Sequence, residues 1–229
     1  MNRHQAFWNK EYQTSEHLAL SHEPSEDLQK FTRWLERGYK REFLNPRARV
    51  VDLGAGNGRN LIFLAEAFGM RGEGYDLSDV AIADARKHSK DLPIEYEVRS
   101  IAEPIPESDE STTLVLDMMT SHVLKKAERE ALRAEILRVL RPGGWLFFKT
   151  FLAEEDLNVK RLLRDHPADE ENAYIHPKLG VYEYVWTEDA LHDFFSKDFE
   201  IHKVLKSHKH LLHGRAGKRR TVSVYLQKF

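Results

Sequence analysis

The sequence contains no cysteine. That absence excludes disulfides, thiolate zinc sites, cysteine-ligated iron–sulfur clusters and cysteine nucleophiles. Also missing is any uninterrupted apolar run near the roughly 18 residues that a membrane-spanning helix needs, and Met1-Asn2-Arg3-His4-Gln5 lacks the apolar stretch of a secretory signal. The expectation is a cytoplasmic protein without a membrane partner. Neither sign of charge dominates: 35 Lys and Arg stand against 37 Asp and Glu, so nucleic-acid binding would have to come from a local patch. What is present suffices for a packed core, with 41% hydrophobic and 31% charged residues. A length of 229 residues suits one α/β domain with extra segments, and two full domains would be cramped.

Along the chain, Leu28, Phe31, Leu35, Tyr39 and Phe43 fall at helical spacing between Ser25 and about Leu44, with Ser25 as the expected cap. Arg49-Val50-Val51-Asp52-Leu53 reads as a first buried strand, followed by a glycine loop and a helix carrying Leu61, Ile62, Leu64 and Phe68. The rhythm repeats. Glu73 to Leu77 is a second strand and Ser78 caps a helix to about His88; Ile94 to Arg99 and Thr113 to Asp117 are the third and fourth strands. A charged helix from Lys125 to Leu140 is expected to stop at Arg141-Pro142-Gly143-Gly144 before the apolar strand Trp145 to Phe148. Alternating strands and helices imply a parallel sheet with right-handed crossovers. Residues 152–186 break the rhythm and read as an insertion. Thr187 then caps a short helix, and Phe199 to Ser207 and Arg219 to Gln227 form an antiparallel pair joined by a basic loop.

The chemistry concentrates in Val50-Val51-Asp52-Leu53-Gly54-Ala55-Gly56-Asn57-Gly58, an acidic residue ending a strand and glycines at every second position after it. In an open α/β sheet the first strand-to-helix turn is where nucleotides bind. Glycine serves there because a side chain would hold the ligand off the backbone and the turn needs unusual dihedrals. The spacing departs from the dinucleotide fingerprint, since Arg59 occupies the third-glycine place, which weakens a nicotinamide reading. Asp76 ends the second strand about 20 residues beyond the loop, where a carboxylate accepts hydrogen bonds from ribose hydroxyls. A cap on the following helix is the plainer role for it.

Taken in order, Asp52-x-Gly54-x-Gly56-x-Gly58, Asp76, Asp117 after an apolar strand, and Leu140-Arg141-Pro142-Gly143-Gly144 before another strand resemble the class I methyltransferases that use S-adenosylmethionine (SAM). The resemblance covers residues 48–151 well and the flanks loosely. It implies a three-layer α/β/α sandwich with a seven-stranded, mostly parallel sheet of order 3-2-1-4-5-7-6, strand 7 antiparallel. It also implies SAM as methyl donor, S-adenosylhomocysteine as product, the glycine loop beside the amino-acid end and Asp76 on the ribose. Leu77 and Ile101 are expected around the adenine, with hydrogen bonds from the backbone near Ala102; ordinary core packing is the competing role for both side chains. The family often has an acidic residue where Ile101 stands. Asp117 and Met118, closing the fourth strand, complete the expected cofactor contacts.

One domain is expected over residues 1–229: a helical lid at 1–45, the SAM-binding core at 48–151, an acceptor-side insertion at 152–186, and a closing helix and strand pair at 187–229. Phe7-Trp8-Asn9-Lys10-Glu11-Tyr12 resembles the aromatic lead-in of many small-molecule members, which folds over the cofactor. Tyr174, His176, Tyr182, Tyr184 and Trp186 give the insertion an aromatic density suited to an acceptor pocket, although Val181 to Trp186 also fits an edge strand. Asp117-Met118-Met119-Thr120-Ser121-His122 is not the Asn/Asp-Pro-Pro-Tyr/Phe segment of amino-methylating nucleic-acid enzymes. His122 stands where it can serve as a proton-accepting base or as a plain loop residue.

The expected acceptor is therefore a small molecule. An RNA acceptor gripped by Lys203, Lys206, Lys209, Arg215, Lys218, Arg219 and Arg220 is the second reading, and a non-catalytic SAM-binding scaffold the third. His208-x-His210 lacks a neighbouring carboxylate, so no metal is expected.

Overall fold

A computed structural model describes the protein at residues 3–14, 20–207, 211–212, 215–216 and 219–229. In chain order the elements are α1 (Arg3–Thr14), α2 (Glu26–Tyr39), β1 (Arg49–Leu53), α3 (Arg59–Phe68), β2 (Arg71–Asp76), α4 (Asp79–His88), β3 (Ile94–Val98) and β4 (Thr112–Met118). There follow a 3-10 turn at Ser121–Val123, α5 (Lys126–Val139), β5 (Leu140–Phe151), α6 (Leu157–Asp165), β6 (Ala173–Ile175), β7 (Tyr182–Tyr184) and α7 (Glu188–Phe195). The chain closes with β8 (Phe199–Lys206), β9 (Leu211–Leu212), β10 (Arg215–Ala216) and β11 (Thr221–Lys228). Among the described residues no helix is long and apolar enough to cross a membrane.

Seven strands form one sheet in the order β3-β2-β1-β4-β5-β11-β8. β1 to β5 pair in parallel, and β11 runs antiparallel to both β5 and β8. Counting sheet members alone, β8 and β11 are the sixth and seventh, which gives the expected 3-2-1-4-5-7-6. The two short antiparallel pairs, β6 with β7 and β9 with β10, lie outside this sheet.

Successive strand residues point to opposite faces, and both faces are covered. Val50, Leu114, Leu116, Trp145, Phe147 and Tyr225 pack with Leu28, Phe31 and Leu35 of α2, Leu61 and Leu64 of α3, and Ile82 of α4. Their neighbours Val51, Val115, Leu146, Phe148, Val224 and Leu226 pack with Leu132 and Ile136 of α5 and Leu191 and Phe195 of α7. This alternation makes the three layers. Phe31, fully buried, stacks on Phe147 with ring centroids 5.0 Å apart, burial that contributes about 1.5 to 3 kcal/mol. The expected lid at 1–45 therefore divides: α2 belongs to the core layer, and only α1 lies at the mouth of the sheet.

Three local expectations are corrected. Ser25 makes no side-chain cap; its backbone N–H donates instead to Asn60 Oδ1 at 3.1 Å, tying the start of α2 to α3. α2 ends at Tyr39 because Lys40 takes a φ of +54°, although Phe43 and Leu44 beyond it remain buried. Arg141-Pro142-Gly143-Gly144 does not separate helix from strand. β5 starts at Leu140, and the register against β4 slips between Thr112 and Leu114, so the four residues bulge out of the ladder with Gly143 at φ +71°. Ser78 and Thr187 do cap their helices, accepting from Ala81 and Ala190 N–H at 3.1 Å each.

Candidate active site

At the C-terminal ends of β1, β2 and β4 lies a cavity of about 990 Å³. Its floor is the turn after β1. There Gly54 and Ala55 both donate to the Tyr75 carbonyl, at 2.7 and 2.9 Å, which lashes the turn to β2. Gly54 and Gly56 sit at φ +79° and +57°, a region costly for any residue with a Cβ. Space forbids side chains as well: a Cβ on Gly54 would run into Thr120, and one on Gly56 into the Tyr12 hydroxyl of α1. The turn is thus bare backbone covered by α1.

Asp76 sits beside it. Its Oδ2 accepts the Gly56 N–H at 2.9 Å and its Oδ1 the Ser78 N–H at 2.8 Å. Burial pushes its pKa up, against the opposing pull of those backbone donors. Each oxygen keeps a lone pair for a hydroxyl. Asp52 is fully buried behind the turn, and its Oδ2 has no hydrogen-bond partner. Burial, with the negative charges of Asp76 and Asp117 adding to it, raises its pKa to about 7. A buried carboxylate left unsatisfied is costly on its own and fits a site that receives a cation.

Of the residues expected around the cofactor, Gly54, Gly56, Asp76, Leu77, Ile101, Ala102 and Met118 line the cavity. Asp52, Gly58 and Asp117 do not. Gly58 caps α3 at φ +78° and abuts Tyr96 and Ala85, so its role is packing. Asp117 is turned inward, accepting the Ser121 N–H at 3.1 Å, with a pKa raised by burial to about 6. The backbone N–H of Ala102 is already given to Ser100 Oγ at 3.2 Å, which removes one expected adenine contact.

The fold that carries this turn is shared with known proteins. Residues 50–144 match the family described as a methyltransferase domain. A SAM-dependent methyltransferase from Methanosarcina mazei has the same fold, with a TM-score of 0.69 at 22% identity over 82% of this chain and 95% of that one. Residues 50–144 thus make up a SAM-dependent methyltransferase domain. The chain is 35% identical over 107 residues to malonyl-[acyl-carrier protein] O-methyltransferase of Methylococcus capsulatus, which is 46% of this chain and 38% of that relative. Over 163 residues it is 25% identical to fatty-acid O-methyltransferase of Mycolicibacterium smegmatis, 70% of this chain and 58% of that relative. The chain thus spans less than two thirds of either curated relative.

The far wall of the cavity differs from what the insertion's composition suggests. Tyr174 is fully buried and donates to Glu183; Tyr182 donates to Glu170; Tyr184 lies under the Arg129 guanidinium; Trp186 packs on Phe148 and Phe195. Only His176 of the five lines the cavity. The aromatic lining comes instead from Phe7, Trp8 and Tyr12 of α1 and from Phe151 at the end of β5. Asn9 of the same helix accepts from Ser78 Oγ at 2.8 Å, docking α1 on α4.

His122 lines the cavity and is buried against Phe151, ring centroids 5.1 Å apart, with Nδ1 unpartnered. Burial lowers its pKa to about 4, so it is neutral at physiological pH and a weak proton acceptor. Beside it is a pair invisible to sequence reasoning: Arg219 Nη1 donates to Glu183 Oε2 at 2.8 Å, and the guanidinium lies 3.6 Å over the Phe151 ring. The two residues are 36 positions apart, and in the sequence Arg219 is one of the seven cations of the basic stretch from Lys203 to Arg220. The other described members of that group make contacts within the chain at its surface. Arg220 pairs with Glu155 at 3.1 Å, Lys206 with Glu188, and Lys203 lies 5.7 Å over Trp34. Lys209, Lys218, His208, His210 and His213, and the side chain of Arg215, lie outside the described residues.

Proposed function

We propose that this chain transfers the methyl group of SAM to a small-molecule acceptor held in the same cavity. The observation that carries the reading is that one continuous cavity of about 990 Å³ joins the bare turn at Gly54 and Gly56, the Asp76 carboxylate and the wall of His122, Phe151 and Arg219. That volume suits a nucleoside and a second compound of modest size.

SAM supplies an electrophilic methyl group on a sulfonium. The chain's contribution is alignment and the exclusion of water, since an in-line displacement needs no dedicated base. In this reading Asp76 accepts from the ribose hydroxyls while keeping the Gly56 turn in shape. The turn admits the amino-acid portion along its backbone, the buried charge of Asp52 favours the cationic end, and Leu77 and Ile101 flank the base. Met118 closes the floor. α1 lies over the turn through Tyr12 and acts as a lid, shielding the reacting groups. Of the curated relatives named above, one carries a fatty acid in its name and the other a malonyl group on a carrier protein, and the first supports a small-molecule acceptor here. Lys203, Lys206, Arg219 and Arg220 are engaged with carboxylates or rings of the chain itself, which speaks against an RNA acceptor.

Titration calorimetry with SAM and S-adenosylhomocysteine tests the cofactor half, and isotope transfer from methyl-labelled SAM to a panel of small acids, amines and thiols tests the reaction. Binding of both nucleosides with 1:1 stoichiometry is expected. A protein that binds neither is a scaffold, and the reading fails.

A further inference from the structure

The unexplained feature of the far wall is Arg219. Its Nη1 is committed to Glu183, but Nε and Nη2 have no hydrogen-bond partner. These two nitrogens form one side edge of the guanidinium, the edge that meets both oxygens of a carboxylate in parallel N–H···O bonds. Next to it His122 Nδ1 is likewise buried without a partner. Three unsatisfied polar atoms therefore gather on two residues that both line the cavity, in a protein interior where such groups normally find partners. Glu183 balances the Arg219 charge, and Arg161 and Lys178 bring two further cations to the cavity wall.

We propose that Arg219 is the acceptor-recognition residue of this chain and that the acceptor carries a carboxylate, which seats on the Nε/Nη2 edge with His122 Nδ1 alongside. Glu183 and the Phe151 ring are the positioning groups: one fixes Nη1, and the other supports the guanidinium face at 3.6 Å. Because both nitrogens of that edge are buried, seating the anion requires the Arg219 side chain to shift. Closing the edge against water strengthens the pairing, because a charge-assisted bidentate bond gains most where the surroundings are dry. A neutral isostere of the acceptor leaves the same nitrogens unsatisfied and is rejected.

This rests on the proposed methyl-transfer reading, and the experiment separates the two. The full chain is saturated with S-adenosylhomocysteine and titrated calorimetrically with straight-chain carboxylates from butyrate to palmitate and with their primary amides. At least one acid is expected to bind about tenfold or more tightly than its amide. Arg219→Lys keeps a charge for Glu183 but loses the planar edge; it is expected to abolish the preference while leaving S-adenosylhomocysteine affinity unchanged, with a lower melting temperature because the stacking on Phe151 is lost. Should Arg219→Lys fail to fold, Arg219→Gln combined with Glu183→Gln removes the edge without stranding a buried charge, and the same loss is expected. Equal binding of acids and amides, or a preference that survives both variants, overturns the proposal and leaves the cofactor reading intact. Failure to bind S-adenosylhomocysteine overturns both.

Discussion

Asp76 Oδ2 accepts the backbone N–H of Gly56 at 2.9 Å, so the carboxylate that ends β2 also fastens the turn that follows β1. The residues are 20 positions apart, and parallel pairing of β1 with β2 brings them together. Loop shape thus depends on this side chain, while the cap on the following helix, the other role expected of Asp76, falls to Ser78.

Asp76→Ala is expected to weaken SAM and S-adenosylhomocysteine alike by about 1 to 3 kcal/mol, the loss of hydrogen bonds to the ribose together with a loosened turn. Calorimetry measures it. Asp76→Asn, which keeps one acceptor oxygen, should fall between; unchanged affinity in both variants would remove Asp76 from the site.

Gly56→Ala must place a Cβ at φ +57° and against the Tyr12 hydroxyl. The backbone cost alone is about 1 to 2 kcal/mol. Adding Tyr12→Phe removes the colliding oxygen, so the double variant is expected to melt higher than Gly56→Ala while staying below the parent protein. Differential scanning calorimetry separates the steric part from the backbone part.

Burial raises the Asp52 pKa from 3.8 to about 7, so the folded protein holds that proton more tightly than the unfolded chain. Its contribution to the stability of the ligand-free protein is complete below 3.8 and is lost as pH rises through about 7. A cationic ligand prefers the ionised carboxylate and reverses the trend. SAM affinity is expected to climb by up to about tenfold per pH unit below 7 and then level off, with Asp52→Asn flattening the curve. A pH-independent dissociation constant in the parent protein would contradict this.

His122 behaves in the opposite sense. Its pKa falls from 6.5 to about 4 through burial, so its contribution to stability is present above 6.5 and is lost as pH falls through about 4. A base this weak leaves no inflection near 6.5 in the pH profile of kcat. His122→Ala is expected to lower kcat by less than about tenfold and leave S-adenosylhomocysteine affinity unchanged, whereas a true general base contributes about a hundredfold or more.

Glu183 holds both Arg219 and the Tyr174 hydroxyl in a buried cluster. Glu183→Ala strands the guanidinium and should cost about 3 to 5 kcal/mol of stability, read as a lower thermal midpoint by circular dichroism. Pairing it with Arg219→Met restores much of the loss, because no uncompensated charge remains.

How far the sequence carried depended on how local each decision was. β1 falls on Arg49–Leu53 as its apolar run requires, and the glycine turn, Asp76 and the caps at Ser78 and Thr187 stand where their residue types require them. Arg141-Pro142-Gly143-Gly144 misled because proline and glycine mark a break in the chain's direction without saying whether it is a loop or a bulge within a ladder. Tyr174 and Trp186 misled because aromatic residues fit a pocket wall and a core equally well, and only packing against Glu183, Phe148 and Phe195 decides between them.

Periodicity and turn chemistry act over a few residues, and they were enough to specify alternating strands and helices around a bare glycine turn. Which side chains share the far wall was settled elsewhere. Arg219 begins as one cation in a basic stretch; antiparallel pairing of β11 with β5 carries the neighbouring chain past Phe151, where Glu183 from the 152–186 insertion meets it. The strength of that contact comes from excluding water, and water is excluded only when distant segments close over the same place.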